Sequence, residues 1–157
     1  MTPLLTACSG FLLAVLWMDL IFDVQVFGHQ QGAAELPEQV LASIAGYYRR
    51  ATTTSRPMSR LIALVMVTLL SSLGFASIRG HHPGWLLLTS AALAGVPVAL
   101  ALAHTVPSAI RLGGRLDSRV DQTRLARAIC RDLLICFACL LAFLALWLTH
   151  ELAIGVG

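Results

Sequence analysis

Four long apolar segments constrain the fold of this 157-residue chain more than any other feature of its sequence. Hydrophobic residues make up 57% of the chain and charged residues only 12%, too few charges to cover the surface of a soluble domain. Each segment is long enough to cross a bilayer as a helix, which takes roughly 17–25 apolar residues. Because lipid offers no hydrogen bonds to the backbone, such segments must be helical. Transmembrane helices are predicted over residues 3–27, 61–78, 85–110 and 118–149.

The simplest arrangement of four crossings joined in sequence is an antiparallel bundle. The sequence therefore predicts an all-α integral membrane protein, with residues 1–157 forming a single transmembrane domain of four helices. The four cysteines are Cys8, Cys130, Cys136 and Cys139, and their placement in apolar helices favours packing over disulfide formation.

The linker between the first two apolar segments predicts a further helix over residues 37–50. Glu35-Leu36-Pro37-Glu38 is typical of a helix start, since proline fits the first turn and acids favour the amino end. Apolar residues then recur at helical spacing: Leu36, Val40, Leu41, Ile44, Tyr47 and Tyr48. We interpret this segment as an amphipathic cytoplasmic helix that turns Val40, Leu41, Ile44 and one of the tyrosines toward the membrane.

The arginines predict how the bundle is oriented. All eleven basic residues are arginine, and only Arg79 lies in the connection between the second and third segments. The two long linkers and the start of the fourth segment hold the other ten: Arg49, Arg50, Arg56, Arg60, Arg111, Arg115, Arg119, Arg124, Arg127 and Arg131. By the positive-inside rule, both long linkers face the cytoplasm and both termini lie outside it, in what we interpret as a bacterial inner membrane. The net charge of +3 is modest. Its uneven distribution bears on membrane topology, and it does not predict a nucleic-acid partner.

Two carboxylates interrupt the first apolar segment. Asp19 and Asp23 are four residues apart, so on a helix they share one face. With His29 taken as the membrane boundary, the helical rise places Asp23 roughly 9 Å and Asp19 roughly 15 Å into the bilayer, the latter near the membrane midplane. A carboxylate inside a bilayer is costly, and it indicates a functional site by default. We expect Asp19 to be protonated or hydrogen-bonded and Asp23 to be the better paired of the two.

Other polar residues are expected in the same, cytoplasmic half of the bundle. His104 lies about 10 Å inside the third segment. The predicted catalytic residues are Asp19, Asp23, His104 and Arg131, and the predicted substrate-binding residues are Trp17, Tyr47, Tyr48 and Asp132. A structural alternative is that the charges neutralise one another, Asp23 with Arg131 or Arg60, and fix the helix register. No second histidine stands at ligand spacing from His104 and the Glu-x-x-His signature of di-iron bundles is absent, so no metal and no cofactor is predicted.

Four motifs in chain order give the sequence a resemblance to a known family. They are Leu36-Pro37-Glu38 with Gly46-Tyr47-Tyr48, then Arg56-Pro57-Met58, then His104-Thr105-Val106-Pro107-Ser108, and finally Arg127-Ala128-Ile129-Cys130-Arg131-Asp132. In this layout the chain resembles the anthrone-oxygenase-like family of small four-helix membrane proteins. The resemblance implies a four-helix membrane fold and oxidation of polycyclic aromatic anthrones without an obvious cofactor.

The leading hypothesis is therefore a membrane-embedded, enzyme-like pocket for a small hydrophobic substrate, aromatic or quinone-like. Asp19 or Asp23 would act as base, His104 would transfer protons and Arg131 would stabilise an enolate or phenolate. Two alternatives stay open. A proton-coupled exporter of lipophilic cations would use Asp19, and a structural subunit of a larger membrane complex would use the polar residues to hold helices together. The expected partners are the small molecule and the lipid bilayer, and association into a homo-oligomer is left open.

Overall fold

The computed structural model describes residues 2–23, 35–53, 56–80 and 82–155, and all the regular structure within these ranges is helical. In chain order the elements are α1 (Thr2–Asp23), α2 (Glu38–Thr53), α3 (Arg56–Arg79), α4 (Gly84–Leu100), a π-helical turn (Ala101–Thr105), α5 (Val106–Gly114) and α6 (Arg119–Gly155). The predicted end of the first segment, 24–27, lies outside the described residues.

Four stretches are long and apolar enough to cross a membrane: Pro3–Asp23, Pro57–Arg79, Gly84–Gly114 and Arg119–Ala153. They match the four predicted segments, and they make the chain a multi-pass helical membrane protein. The third stretch is a composite of α4, the π-helical turn and α5. Helix α6 begins at Arg119, one residue after the predicted start at 118, and ends at Gly155, six residues beyond the predicted end at 149. Polar residues ahead of its apolar part cap its amino end. The Asp121 amide donates to Ser118 Oγ at 3.2 Å, which satisfies one of the free donors of its first turn.

The long helix α6 packs against both α1 and α4, and α1 also contacts α3. We call the end of the bundle at the α3–α4 connection the short-turn end, and the opposite end, which carries α2, the α2 end. Leu5, Phe143 and Trp147 are fully buried toward the short-turn end. There the Trp147 indole donates to Ser90 Oγ at 3.0 Å. Gly80, in the turn, adopts φ +66°, a conformation open to glycine because it lacks a Cβ.

Helix α2 packs on the protein with the face that the sequence assigned to the membrane. Leu41 and Ile44 are 0% and 1% exposed, and they join a cluster with Leu112 of α5 and Ile129 of α6. The expectation that Leu41 and Ile44 face lipid is therefore wrong. The reason is that α5 and the start of α6 continue past the apolar segments and offer α2 a protein surface to cover.

Polar contacts fix the amino end of α2 in this packing. Glu38, in the first turn of α2, accepts a hydrogen bond from Arg115 and lies 3.1 Å from Arg119 Nη2. The hydrogen bond from Arg115 holds the pKa of Glu38 below its ordinary range. Just before α2, the Leu36 amide donates to the buried Thr123 hydroxyl at 3.1 Å.

Gly113 allows α5 to approach α2 closely. A Cβ at Gly113 would lie 3.1 Å from the backbone nitrogen of Arg49 and 3.3 Å from its Cα, whereas a Cβ at Gly114 would meet nothing within 4 Å. We expect Gly113→Ala to push α2 outward and to destabilise the protein by about 1–3 kcal/mol, the usual cost of overpacking. Thermal unfolding in detergent and amide hydrogen exchange of α2 measure the effect.

Gly114→Ala is the matched control, and it should leave both readouts near wild type. Equal behaviour of the two variants would show that the close approach of α5 to α2 does not limit stability.

Candidate functional site

A cavity of about 820 Å³ lies below α2 and between α1, α3 and α5. Most of its lining is apolar and includes Phe11, Met58, Ile62 and Val106. Six lining residues carry polar groups: Asp19, Tyr47, Tyr48, Arg50, Ser59 and Thr105. The cavity therefore combines an apolar body with a few polar groups, the usual make-up of a site for a small molecule.

Asp19 is held at the cavity wall by a tyrosine from α2. The Tyr47 hydroxyl donates a hydrogen bond to Asp19 Oδ1. The Tyr47 ring stacks on Phe22 with centroids 4.3 Å apart and planes 15° from parallel, which fixes the direction of the phenol. Asp19 is only partly buried, so its carboxylate borders the cavity while Tyr47 anchors it.

Asp23, one helical turn further along α1, also accepts a hydrogen bond from a tyrosine of α2, but it does not line the cavity. It is fully buried, and the Tyr48 hydroxyl donates to its Oδ2 at 2.5 Å. Its Oδ1 has no hydrogen-bond partner among the residues that the structure describes. The Cys130 thiol lies 3.7 Å from the Asp23 carbonyl oxygen. The hydrogen bond between Tyr48 and Asp23 therefore joins α2 to α1.

Both tyrosines remain hydrogen-bond donors at ordinary pH. Burial, together with the neighbouring carboxylates, raises the pKa of both phenols, Tyr47 and Tyr48, well above the ordinary range. The sequence identified both acids and both tyrosines as site residues. It did not predict that two adjacent tyrosines on α2 would each reach one of two acids spaced one turn apart on α1.

A second polar group lies at the π-helical turn. His104 Nδ1 is hydrogen-bonded to Asp132 Oδ2, and Thr105 Oγ1 lies 3.4 Å from the same oxygen. Asp132 is 2% exposed whereas the His104 side chain is 46% exposed. Thr105 also lines the cavity, so its hydroxyl connects the cavity wall with the His104–Asp132 pair.

The π-helical turn explains why two consecutive residues reach one carboxylate. Pro97 and Pro107 bracket the turn, and each lacks the N–H that an α-helix would use. The Val106 amide bonds instead to the Ala101 carbonyl, five residues back, and the Thr105 hydroxyl lies 3.2 Å from the Leu100 carbonyl oxygen. Such turns recur at functional sites because they redirect side chains. The two prolines are visible in the sequence, but their consequence for Thr105 depends on contacts that the sequence does not show.

The predicted site residues do not form one cluster. Arg131 is 71% exposed, and its Nη2 lies 3.7 Å from Asp132 Oδ1, so the predicted pairing of Arg131 with Asp23 is wrong. Trp17 is 57% exposed and contacts Phe137 at a ring distance of 6.0 Å, and it is not part of the cavity lining. Helix α1 turns Asp19 and Asp23 toward α2, whereas Asp132 faces the π-helical turn.

Arg50 and Ser59 line the cavity although sequence reasoning did not select them. Arg50 stands three residues after Tyr47, which places both on one face of α2. That spacing is the signal in the sequence that could have identified Arg50. Ser59 has no comparable signal in the sequence.

Comparisons with protein-family models, with curated proteins and with solved structures gave no match to this chain. What the cavity binds must therefore be inferred from its own side chains.

Proposed function

We propose that the protein binds a small, mostly apolar molecule in the cavity and removes a proton from it, with Asp19 as the proton acceptor. The observation that carries this proposal is the Asp19 carboxylate, fixed by Tyr47, at the wall of an apolar cavity of about 820 Å³. Cavities of roughly 300–1,000 Å³ are the usual size for small-molecule ligands.

The ligand reaches the cavity from the lipid. Four apolar side chains that line the cavity are also exposed, namely Met18 at 56%, Met58 at 42%, Val106 at 46% and Ile110 at 56%. They come from α1, α3 and α5, so the opening of the cavity is bordered by apolar side chains. In a membrane this opening faces acyl chains, which favours a lipid-soluble ligand.

The polar groups of the cavity favour a ligand that becomes an anion. Tyr47 is a neutral donor, which leaves Asp19 able to accept a proton. Arg50 contributes a positive charge to the same lining, and such a charge stabilises an enolate or phenolate as it forms. Arg50 therefore takes the role that the sequence analysis gave to Arg131. The aromatic side chains of Phe11 and Tyr47 suit an aromatic or quinone-like ligand.

With dioxygen as co-reactant, the reaction is a cofactor-independent oxygenation, which the resemblance to the anthrone-oxygenase-like family also favours. Asp19 takes one proton from the acidic methylene of an anthrone-type substrate, and the electron pair stays on the substrate carbon. Dioxygen adds to that carbanion, protonation gives a hydroperoxide, and loss of water leaves a carbonyl group. Substrate and one dioxygen thus become a ketone and one water.

We assign proton exchange to the second polar group: the proton that Asp19 takes leaves by it, and one proton returns by it to the peroxide, so that the reaction releases no net proton. Thr105 borders the cavity and shares Asp132 Oδ2 with His104. The His104 side chain is 46% exposed, so its ring can exchange a proton with groups outside the protein. Thr105, Asp132 and His104 together form a relay between the cavity and that surface.

Proton-coupled export of a lipophilic cation is the second candidate, because a membrane carboxylate such as Asp19 can exchange a proton for a cationic drug. Arg50 in the cavity lining favours the first candidate, since its charge repels a cationic ligand. The two differ in the fate of the ligand, which is chemically changed by an oxygenase and only relocated by an exporter.

The proposed setting is a bacterial inner membrane, with the α2 end in the cytoplasm and both termini outside. The arginines that flank α2 and α5 support this orientation through the positive-inside rule. In a variant whose native cysteines are replaced by alanine, we expect Ser43→Cys on α2 to be shielded from an impermeant maleimide in intact cells. Pro83→Cys, at the exposed short-turn end, should be labelled. The opposite labelling pattern would invert the orientation.

We expect Asp19→Asn to abolish turnover while the variant still folds, because the amide keeps a hydrogen-bond acceptor for Tyr47 but cannot take a proton. General-base catalysis typically contributes about 10²–10⁴ in rate, and a loss of that size is expected. The measurement is oxygen uptake with a hydroxylated anthrone, compared with protein-free detergent micelles. Tyr47→Phe should reduce turnover by a smaller factor, because it removes the hydrogen bond to Asp19 but leaves the carboxylate itself at the cavity.

Glu35→Gln is the matched control, since it removes an exposed carboxylate outside the cavity. Turnover at the wild-type rate in Asp19→Asn would exclude Asp19 as the proton acceptor. Export of the unmodified probe, lost in Asp19→Asn, would favour the second candidate.

We expect His104→Gln and Thr105→Val each to slow turnover by roughly tenfold or more without weakening binding of the anthrone, because both belong to one relay. The double variant should be no slower than the slower single variant, since residues that act as a unit are strongly non-additive. Multiplied effects in the double variant would show that the two residues act independently and would contradict the relay.

A further inference from the structure

Two histidines meet at the short-turn end, far along the bundle from the cavity. His82 precedes α4 and His150 lies near the end of α6. Their ring centroids are 5.6 Å apart, with planes 60° from parallel. Both rings also contact the edge or face of Trp147, at centroid distances of 5.1 Å for His82 and 6.2 Å for His150. The fully buried Trp147 therefore packs against both histidine rings and limits their movement.

Both imidazoles carry an unused nitrogen. His82 Nδ1 and His150 Nδ1 are buried, and neither has a hydrogen-bond partner among the described residues. The Trp147 N–H cannot serve them, because it donates to Ser90. A buried polar atom without a partner is rare in native proteins and calls for a bound water or ion. Here two such atoms, from elements distant in sequence, lie on neighbouring rings.

We propose that His82 and His150 bind one divalent transition-metal ion of the zinc, copper or nickel type at the short-turn end. Neutral imidazole is a preferred ligand of these ions. With metal–nitrogen distances of about 2.0–2.1 Å, two imidazole rings that share an ion have centroids roughly 5–6 Å apart. The observed separation of 5.6 Å lies in this range.

The pair supplies two ligands, and water or a small ligand from solution completes the coordination. Among the described residues no group of three or more histidine, cysteine, aspartate or glutamate side chains is placed to hold a metal. A site with two protein ligands binds its ion more weakly than a structural zinc site with four, and it exchanges the ion with solution. It joins the end of α6 to the connection between α3 and α4, and it uses no residue of the cavity, so it is independent of the proposed function.

The test is titration of the full chain, with any purification tag removed, with ZnCl₂ in detergent by isothermal calorimetry. We expect one ion per chain. His82→Ala and His150→Ala should each weaken binding by roughly tenfold or more, because even loss of a residue that only supports a metal ligand typically costs that much. The matched control is His104→Ala, a histidine outside the pair, which should bind Zn²⁺ as the wild type does.

A spectroscopic readout identifies the ligands directly. The electron paramagnetic resonance spectrum of bound Cu²⁺ should show hyperfine coupling to two imidazole nitrogens in the wild type and to one in either single variant. If an alanine variant elutes as aggregate, His82→Gln and His150→Gln replace it, since glutamine keeps polarity but is a poor ligand. No Zn²⁺ binding above that of empty micelles, or wild-type affinity in both folded single variants, would overturn the proposal.

Discussion

The structure depends on how two carboxylates inside an apolar helix are satisfied. A bilayer offers no water to Asp19 and Asp23, so each needs a partner from the protein. Helix α2 supplies both partners, the hydroxyls of Tyr47 and Tyr48. Because the two tyrosines are adjacent and the two acids are one turn apart, one placement of α2 gives each carboxylate a hydrogen bond. Docking of α2 and formation of the site are therefore the same event.

The use of tyrosine, and not arginine, has a chemical consequence. An arginine beside Asp19 would hold the carboxylate as part of an ion pair and weaken it as a base. A phenol stabilises the carboxylate through one hydrogen bond and adds no charge. Since burial raises the pKa of Tyr47, the phenol keeps its proton and stays a donor. Arg50 contributes a positive charge to the same cavity lining, where the proposed ligand would meet it.

The sequence was sufficient for what depends on composition and on spacing within one helix. The apolar segments placed the four crossings, and the interruption of one segment pointed to Asp19 and Asp23. It was insufficient for contacts between helices. The spacing of Leu41 and Ile44 gives α2 an apolar face, but spacing does not distinguish lipid from another helix as the surface that covers this face. Helical rise likewise gave Arg131 a depth suitable for Asp23, without showing that α6 turns Arg131 away from α1.

The two prolines of the third apolar segment are a second case in which the sequence does not show a contact between helices. Pro97 and Pro107 each remove a backbone donor from this helix, and the structure has a π-helical turn between them. The type of irregularity depends on which carbonyls find other donors, and the Thr105 hydroxyl next to the Leu100 carbonyl is part of that solution. The same hydroxyl is then in place beside Asp132. The hydroxyl that contacts the Leu100 carbonyl in the π-helical turn thus also links the cavity wall to the His104–Asp132 pair.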